Sequence, residues 1–356
     1  MPLVNKNTLS QFLKTECYRQ LKFILSPHDN KKYEQERIDL DIPPRQDPRP
    51  GMSIVTRAGV EWEKEKYAEI QEFFNDMIIF GKEDENGGFK TIQLKDAINE
   101  IKENCFVMQS EYKIDDSSIF EDLYGIKYLR ELSSDYNFEL SKLRPDIIQV
   151  LPPNTYDHYV DPSGKYIPID NNVTIQIKII DIKHTSEPSI AHFGEIAYYM
   201  LTLTSWLKDN NLDQNIKVVS GAIWPGSHEA STIKKKFNEY RKQGLEIKND
   251  DLLDWLKNDL IEVPFEVFVP KIKRFFLKDL PYVLQNDWGK MDYHVNSSCK
   301  HCEYLGYPWK NGKGEFTYHE NHCMQLALKE DHLSRIADLS KAAKASLVNS
   351  GISSGS

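Results

Sequence analysis

VTIQIKIIDIK (173–183) sets Val173, Ile175, Ile177 and Ile179 on one face of a strand and ends in Asp181-Ile182-Lys183. In an extended chain, residues two apart point the same way, so the Asp181 and Lys183 side chains emerge together. RPDIIQV (144–150) reads as a second strand just upstream, opened by Arg144-Pro145-Asp146. Where two such strands adjoin, Asp146, Asp181 and Lys183 can meet. Two carboxylates can hold a hard divalent cation, and a lysine can position or deprotonate a water. That is the minimal chemistry of a metal-dependent nuclease; the plainer reading is a surface hairpin with ordinary charges.

The cysteines point to a second centre. Cys299-Lys300-His301-Cys302 is a C-x2-C pair, Cys323 follows twenty residues on, and Cys17 lies near the amino end. Cys105, in the apolar run NCFVMQ, reads as a core residue. Four thiols can form a tetrahedral zinc site or hold an iron–sulfur cluster. Spacing alone does not join Cys17 to the other three.

Along the rest of the chain, residues 8–25 read as one helix with Cys17 near its middle. His28 to Pro50, rich in proline and charge, reads as an extended loop before a helix at about 57–75. MIIFG and NCFVMQSEY read as strands flanking the short helix QLKDAINEIKE. After the strand at 173–183 come the helix AHFGEIAYYMLTLTSWLKD, the strand IKVVSGAIWPG and helices at about 230–243 and 251–260. The order predicts an α/β fold with a mixed sheet flanked by helices.

Length and composition set limits. The 356 residues, 40% hydrophobic, suffice for a large core. No run of about eighteen apolar residues occurs, and the amino end lacks a secretory pattern, so no membrane association and a cytoplasmic location are expected. Five cysteines with a C-x2-C pair suit a reducing compartment and a metal better than disulfides. The net charge of −9 argues against a surface that coats nucleic acid broadly. Acids gather in EDENGG, DDSS and KNDDLLD. Bases gather in IKKKFNEYRKQ and in PKIKRFFLKDL beside two phenylalanines. Such helices either track a single strand by charge and stacking or are solvated faces.

Taken in order, the amino-terminal cysteine helix (FLKTECYRQLKF), GVEWE (59–63), Arg144-Pro145-Asp146, Asp181-Ile182-Lys183, HFGEIAYYM (192–200) and the carboxy-terminal C-x2-C…C resemble the RecB-like, Cas4-like branch of the PD-(D/E)XK nucleases, from about Ser10 to Cys323. The resemblance implies a restriction-endonuclease-like sheet whose terminal segments are joined by a [4Fe–4S] cluster on Cys17, Cys299, Cys302 and Cys323. It makes Asp146 and Asp181 ligands of Mg²⁺ or Mn²⁺, the Ile182 carbonyl a further ligand, and Lys183 the catalytic lysine. Trp62 and Glu63 stand where many relatives have a histidine, which leaves Glu63 as the oxygen ligand and Trp62 as a packing residue. Some relatives with that histidine replaced cleave poorly.

The family's nucleic-acid-contacting helix motif falls on Glu195 and Tyr199, with His192 before it and glutamate in place of glutamine. A glutamate there repels phosphate unless it is neutral or paired; the same helix also reads as an amphipathic core element. The gap before Cys323 is longer than in relatives, and its GKG-containing stretch reads as a protruding β-turn loop. His319 and His322 nearby keep zinc through Cys and His open.

The implied activity is cleavage of single-stranded DNA ends or flaps, in DNA repair or defence. Two alternatives stand beside it: a catalytically weak DNA-end-binding module that assists a motor, and a zinc-stabilised protein whose Asp-x-Lys is incidental. Residues 1–328 are assigned to the nuclease domain and 329–356 to a helical tail. That tail resembles the first part of a helix–hairpin–helix, so the chain is expected to be cut from a longer protein carrying a helicase or another DNA-processing domain.

Overall fold

The computed structural model describes residues 2–25, 34–46, 51–74, 77–79, 91–101, 104–170, 172–226 and 231–355. Helix α1 (Lys6–Thr15) opens on Asn5, whose side chain accepts from the Thr8 amide while Thr8 Oγ1 accepts from the Asn5 amide. Glu16 ends it in the left-handed region, φ 45°, donating its amide to the Phe12 carbonyl at 2.7 Å. Helix α2 (Tyr18–Leu25) then starts afresh. The single helix expected over 8–25 is therefore two, because the left-handed residue breaks the ladder and leaves Cys17 at the joint.

Helix α3 (Met52–Phe74) leads into β1 (Ile78–Ile79), β2 (Phe106–Met108), β3 (Ile147–Leu151) and β4 (Ile175–Lys183). Helix α4 (Ile190–Asp209) connects to β5 (Ile216–Pro225), followed by α5 (Thr232–Gln243), α6 (Asn249–Asp259), β6 (Ile261–Glu262) and α7 (Phe265–Arg274). Within the loop expected over 28–50, Glu34–Asp39 is a short helix; residues 26–33 and 47–50 of the surrounding stretch lie outside the described residues, as does the acidic run 83–88.

The six strands form one mixed sheet in the spatial order β6-β5-β4-β3-β2-β1. β2, β3 and β4 pair antiparallel, and β5 lies parallel to β4 across the α4 connection. The alternation in β4 sends Ile177 and Ile179 into a core shared with α1, α4 and α7. Ile180 and Ile182 enter a second core shared with α3, α5 and α6. These four isoleucines are at most 6% exposed, which places each at roughly 1.5–3 kcal/mol of burial. The chain is thus a helix–sheet–helix sandwich with β4 at its centre.

Two glycines set the distances on the α4 side. A Cβ on Gly194 would lie 2.4 Å from Leu13, and one on Gly221 would lie 2.5 Å from Ile196. Their absence lets α4 sit tight against both α1 and β5.

Candidate active site

Antiparallel register brings the acids together. Ile180 pairs with Ile147, so the next position on each strand sets Asp181 across from Asp146. The Asp146 carboxylate reaches back to cap the strand end, with Oδ2 accepting from the Ile182 amide at 2.8 Å. On the same face as Asp181, Lys183 Nζ lies 2.5 Å from Asp181 Oδ2 and 3.3 Å from Glu195 Oε2. Glu195 is 4% exposed and Asp181 fully buried.

The electrostatics follow from this crowding. Burial and the adjacent Asp181 push the Asp146 carboxyl well above the ordinary carboxylate range. For Asp181 burial acts in the same direction, but the Lys183 and Lys6 ammonium groups outweigh it and hold the carboxyl below its usual value. Of the two acids, Asp146 is therefore the one that more readily holds a proton. Burial works to lower Lys183, while Asp181, Glu195 and Asp146 raise it above the ordinary lysine value. Lys183 is accordingly an ammonium, a positive charge set beside the two acids.

Glu63, on α3, is near enough for its charge to raise the Asp146 carboxyl further. Its Oε1 accepts from Tyr67 Oη at 2.8 Å and from Gln109 Nε2 at 3.2 Å. Gln109 also donates its amide to the Asp146 carbonyl and has φ 46°, a left-handed conformation that interrupts the strand read over NCFVMQSEY. Trp62 packs against the second core, its ring 5.9 Å from that of His184 and 4.4 Å from the Lys66 ammonium.

The α4 residues have local duties. His192 Nδ1 accepts from the Ser189 amide at the helix start, and burial with Lys183 nearby lowers its pKa. Tyr199 is fully buried and donates its hydroxyl to the Arg144 carbonyl at 2.8 Å. The nucleic-acid contact expected of Tyr199 thus has no exposed surface; the side chain ties α4 to the segment that delivers Asp146. Glu195 is paired with both Lys183 and Lys6, which answers the repulsion expected from a glutamate at this position.

Two residues go unread at the sequence level. Lys6, eleven positions before Cys17, places Nζ 2.6 Å from Glu195 Oε1. Gln109 lies in an apolar run without a motif. The basic helices are also more occupied than their composition suggests. Lys234 pairs with Glu65 at 3.1 Å and Glu69 at 3.2 Å, Arg274 pairs with Asp279, and Phe275 and Phe276 are fully buried, so these phenylalanines offer no stacking surface.

The second centre is built from both ends of the chain. Cys17 at the α1–α2 joint lines one cavity with Cys299, Cys302 and Cys323, the last opening helix α8 (Cys323–Lys329). Burial raises the thiols of Cys299 and Cys302, and Cys323 is pushed up to about 12. Arg19 also lines the cavity. It is 5% exposed, Nε donates to the Met291 carbonyl, and Nη1 has no hydrogen-bond partner. A buried guanidinium with an unmatched N–H beside four thiols fits an anionic thiolate-held cluster. His322 fits poorly as a ligand, because Nδ1 accepts from the His319 amide and Nε2 faces the Pro44 carbonyl at 2.8 Å. Among the described residues, no group of three or more His, Cys, Asp or Glu side chains is already spaced to hold a metal ion.

At the acid pair, neither Asp181 oxygen receives a well-directed hydrogen bond despite full burial. A buried carboxylate whose oxygens lack hydrogen-bond donors, set across from a second carboxylate, fits a hard divalent cation. Cys105 is a core residue, as its apolar setting predicts. The GKG-containing stretch turns at Gly314, φ 81°, inside the Lys310–Phe316 bridge. Among the described residues, no helix is long and apolar enough to cross a membrane. No protein-family model matches this chain, and no curated protein matches it.

Proposed function

We propose that this chain is a Mg²⁺- or Mn²⁺-dependent deoxyribonuclease of the RecB-like, Cas4-like PD-(D/E)XK type, acting on single-stranded ends or flaps in DNA repair or defence. The observation that carries the reading is the meeting of Asp146, Asp181 and Lys183 at the ends of two adjacent antiparallel strands, with unmatched carboxylate oxygens at the floor. The order helix, three antiparallel strands, helix, parallel strand supports a restriction-endonuclease-like core.

A divalent cation held by Asp146 and Asp181, with the Ile182 carbonyl, supplies charge stabilisation at the phosphate and a more acidic water. The protein's own groups do the rest. Asp146 and Asp181 would together hold the cation, whose positive charge would favour the ionised form of Asp146. Lys183 presents a fixed positive charge to the attacking water and phosphate. Glu195 keeps Lys183 from collapsing entirely onto Asp181 by offering it a second carboxylate. Tyr199 and Gln109 hold the backbone on either side of Asp146.

The cysteine cavity takes a [4Fe–4S] cluster in this reading, with a structural role: it pins the α1–α2 joint to the carboxy-terminal segment. A fused or associated helicase is the expected partner. The test is cleavage of end-labelled single-stranded and duplex DNA with Mg²⁺ or Mn²⁺ by anaerobically purified protein. Loss of cleavage in both Asp181→Ala and Lys183→Ala supports the nuclease. Cluster-replete wild type that binds DNA ends without cutting them would replace it with the end-binding module.

A further inference from the structure

We propose that Lys6 is a phosphate-binding residue of this site, with Glu195 as the positioning residue that holds Lys6 and Lys183 side by side. The inference rests on the nucleic-acid reading of the site and names a contact which that reading does not contain.

Geometry carries it first. Glu195 spans two cations, with Oε1 2.6 Å from Lys6 Nζ and Oε2 3.3 Å from Lys183 Nζ. The carboxylates form the floor of the site, since Asp181 is 0% and Glu195 5% exposed at the side chain. The Lys6 and Lys183 side chains are the more exposed members, at 29% and 21%. Solvent therefore reaches the two lysine side chains more readily than the acids.

The chain around Lys6 is also fixed. Asn5 and Thr8 cap the first turn of α1 reciprocally. Leu3 and Val4 pair with Glu139 and Leu140, on the segment that runs on to Asp146. The Lys6 ammonium lies 5.2 Å from the centre of the Tyr199 ring. Lys6 is thus held to the two elements that also hold the acids, which keeps its ammonium in place before substrate arrives.

A count of charge gives the physical reason. Asp146, Asp181, Glu195 and Glu63, when ionised, are just balanced by Lys183, Lys6 and one divalent cation. Without Lys6 the loaded site carries a net negative charge and repels a phosphodiester. A single structural pair for Glu195 needs only Lys183.

The test is binding of a fluorescein-labelled single-stranded oligonucleotide, by anisotropy in Ca²⁺ and in EDTA over a range of salt, alongside thermal melting. The expected results are Kd raised about ten-fold in Lys6→Ala and a logarithmic salt slope shallower by about 0.7, the single-strand value for one phosphate contact. Lys6→Arg should bind within about three-fold of wild type, because it keeps the charge and donor. Lys6→Ala/Glu195→Gln should melt no lower than Lys6→Ala and still bind weakly. Wild-type affinity and salt slope in Lys6→Ala, with only a lower melting temperature, would make the pair purely structural and overturn the inference. The two readings separate cleanly. A wild type that binds with a Lys6-dependent slope but does not cut removes the nuclease and keeps Lys6. Cutting that depends on Asp181 and not on Lys6 does the reverse.

Discussion

Replacing Asp181 with asparagine tests the cation-binding role proposed for the acid pair with little change of shape. The side chain is fully buried, and its two oxygens lack well-directed donors. In the metal-free protein the substitution removes an ion pair with Lys183, but Lys183 retains Glu195 at 3.3 Å and Asp146 loses the neighbouring anion that, after burial, does most to raise its carboxyl. These effects oppose one another, so the melting temperature without metal should move by less than the ~3–5 kcal/mol cost of an uncompensated buried charge. Metal linkage is different. A cation present at a hundred times its Kd stabilises the native state by about 2.7 kcal/mol. In a chain of this length that corresponds to a shift of about 4 °C. Scanning fluorimetry with Mn²⁺ titrated into EDTA-treated protein should show that shift in wild type and none in Asp181→Asn, and cleavage should fall by at least about 100-fold. An equal Mn²⁺ shift in both proteins would place the cation elsewhere and refute the argument.

The other predictions concern the supports of the site. Cys17→Ser and Cys323→Ser should each lose the brown absorbance near ~400 nm expected of an iron–sulfur centre, and anaerobic spectra would check it; colourless, zinc-containing wild type would contradict the cluster. Tyr199→Phe leaves the Arg144 carbonyl without its donor and should cost about 1–2 kcal/mol in urea unfolding, with oligonucleotide affinity unchanged because the ring is buried. Glu121 is 1% exposed, and burial pushes its carboxyl from 4.5 up to about 7 against the pull of Arg130. A raised folded value means its contribution is full below pH 4.5 and is lost as pH rises through 7. Wild type should therefore lose stability relative to Glu121→Gln over that interval, measured as the difference between their unfolding free energies.

Periodicity made the centre of the fold legible. The alternation of 173–183 and the apolar run after Asp146 give β4 and β3, and their pairing alone brings the two acids opposite one another. The long helix 190–209 and strand 216–225 were equally readable, because both are long and strongly patterned. The break at Glu16 was not, since nothing in TECYR marks a left-handed residue, and the ends of a cysteine-bearing joint are set by tertiary packing. Gln109 hid for the same reason. Lys6 and Arg19 look like ordinary surface cations in the sequence; only their three-dimensional neighbours, Glu195 and the four cysteines, distinguish them. The basic runs misled in the opposite direction, because composition does not reveal that Lys234 is already paired or that Phe275 and Phe276 face inward.

Helix α1 carries Lys6 at one end and leads into Cys17 at the other, so a single short segment reaches both centres. Its partners at the second centre are encoded roughly 300 residues later. On a ribosome adding about 5–20 residues per second, the amino-terminal arm waits on the order of 15–60 s for Cys323 to emerge. Asp146, Asp181 and Lys183 are all made during that interval, before Cys299, Cys302 and Cys323 can meet Cys17 in their shared cavity. Synthesis order therefore puts the two acids and the lysine in place well before the four-cysteine cavity can close.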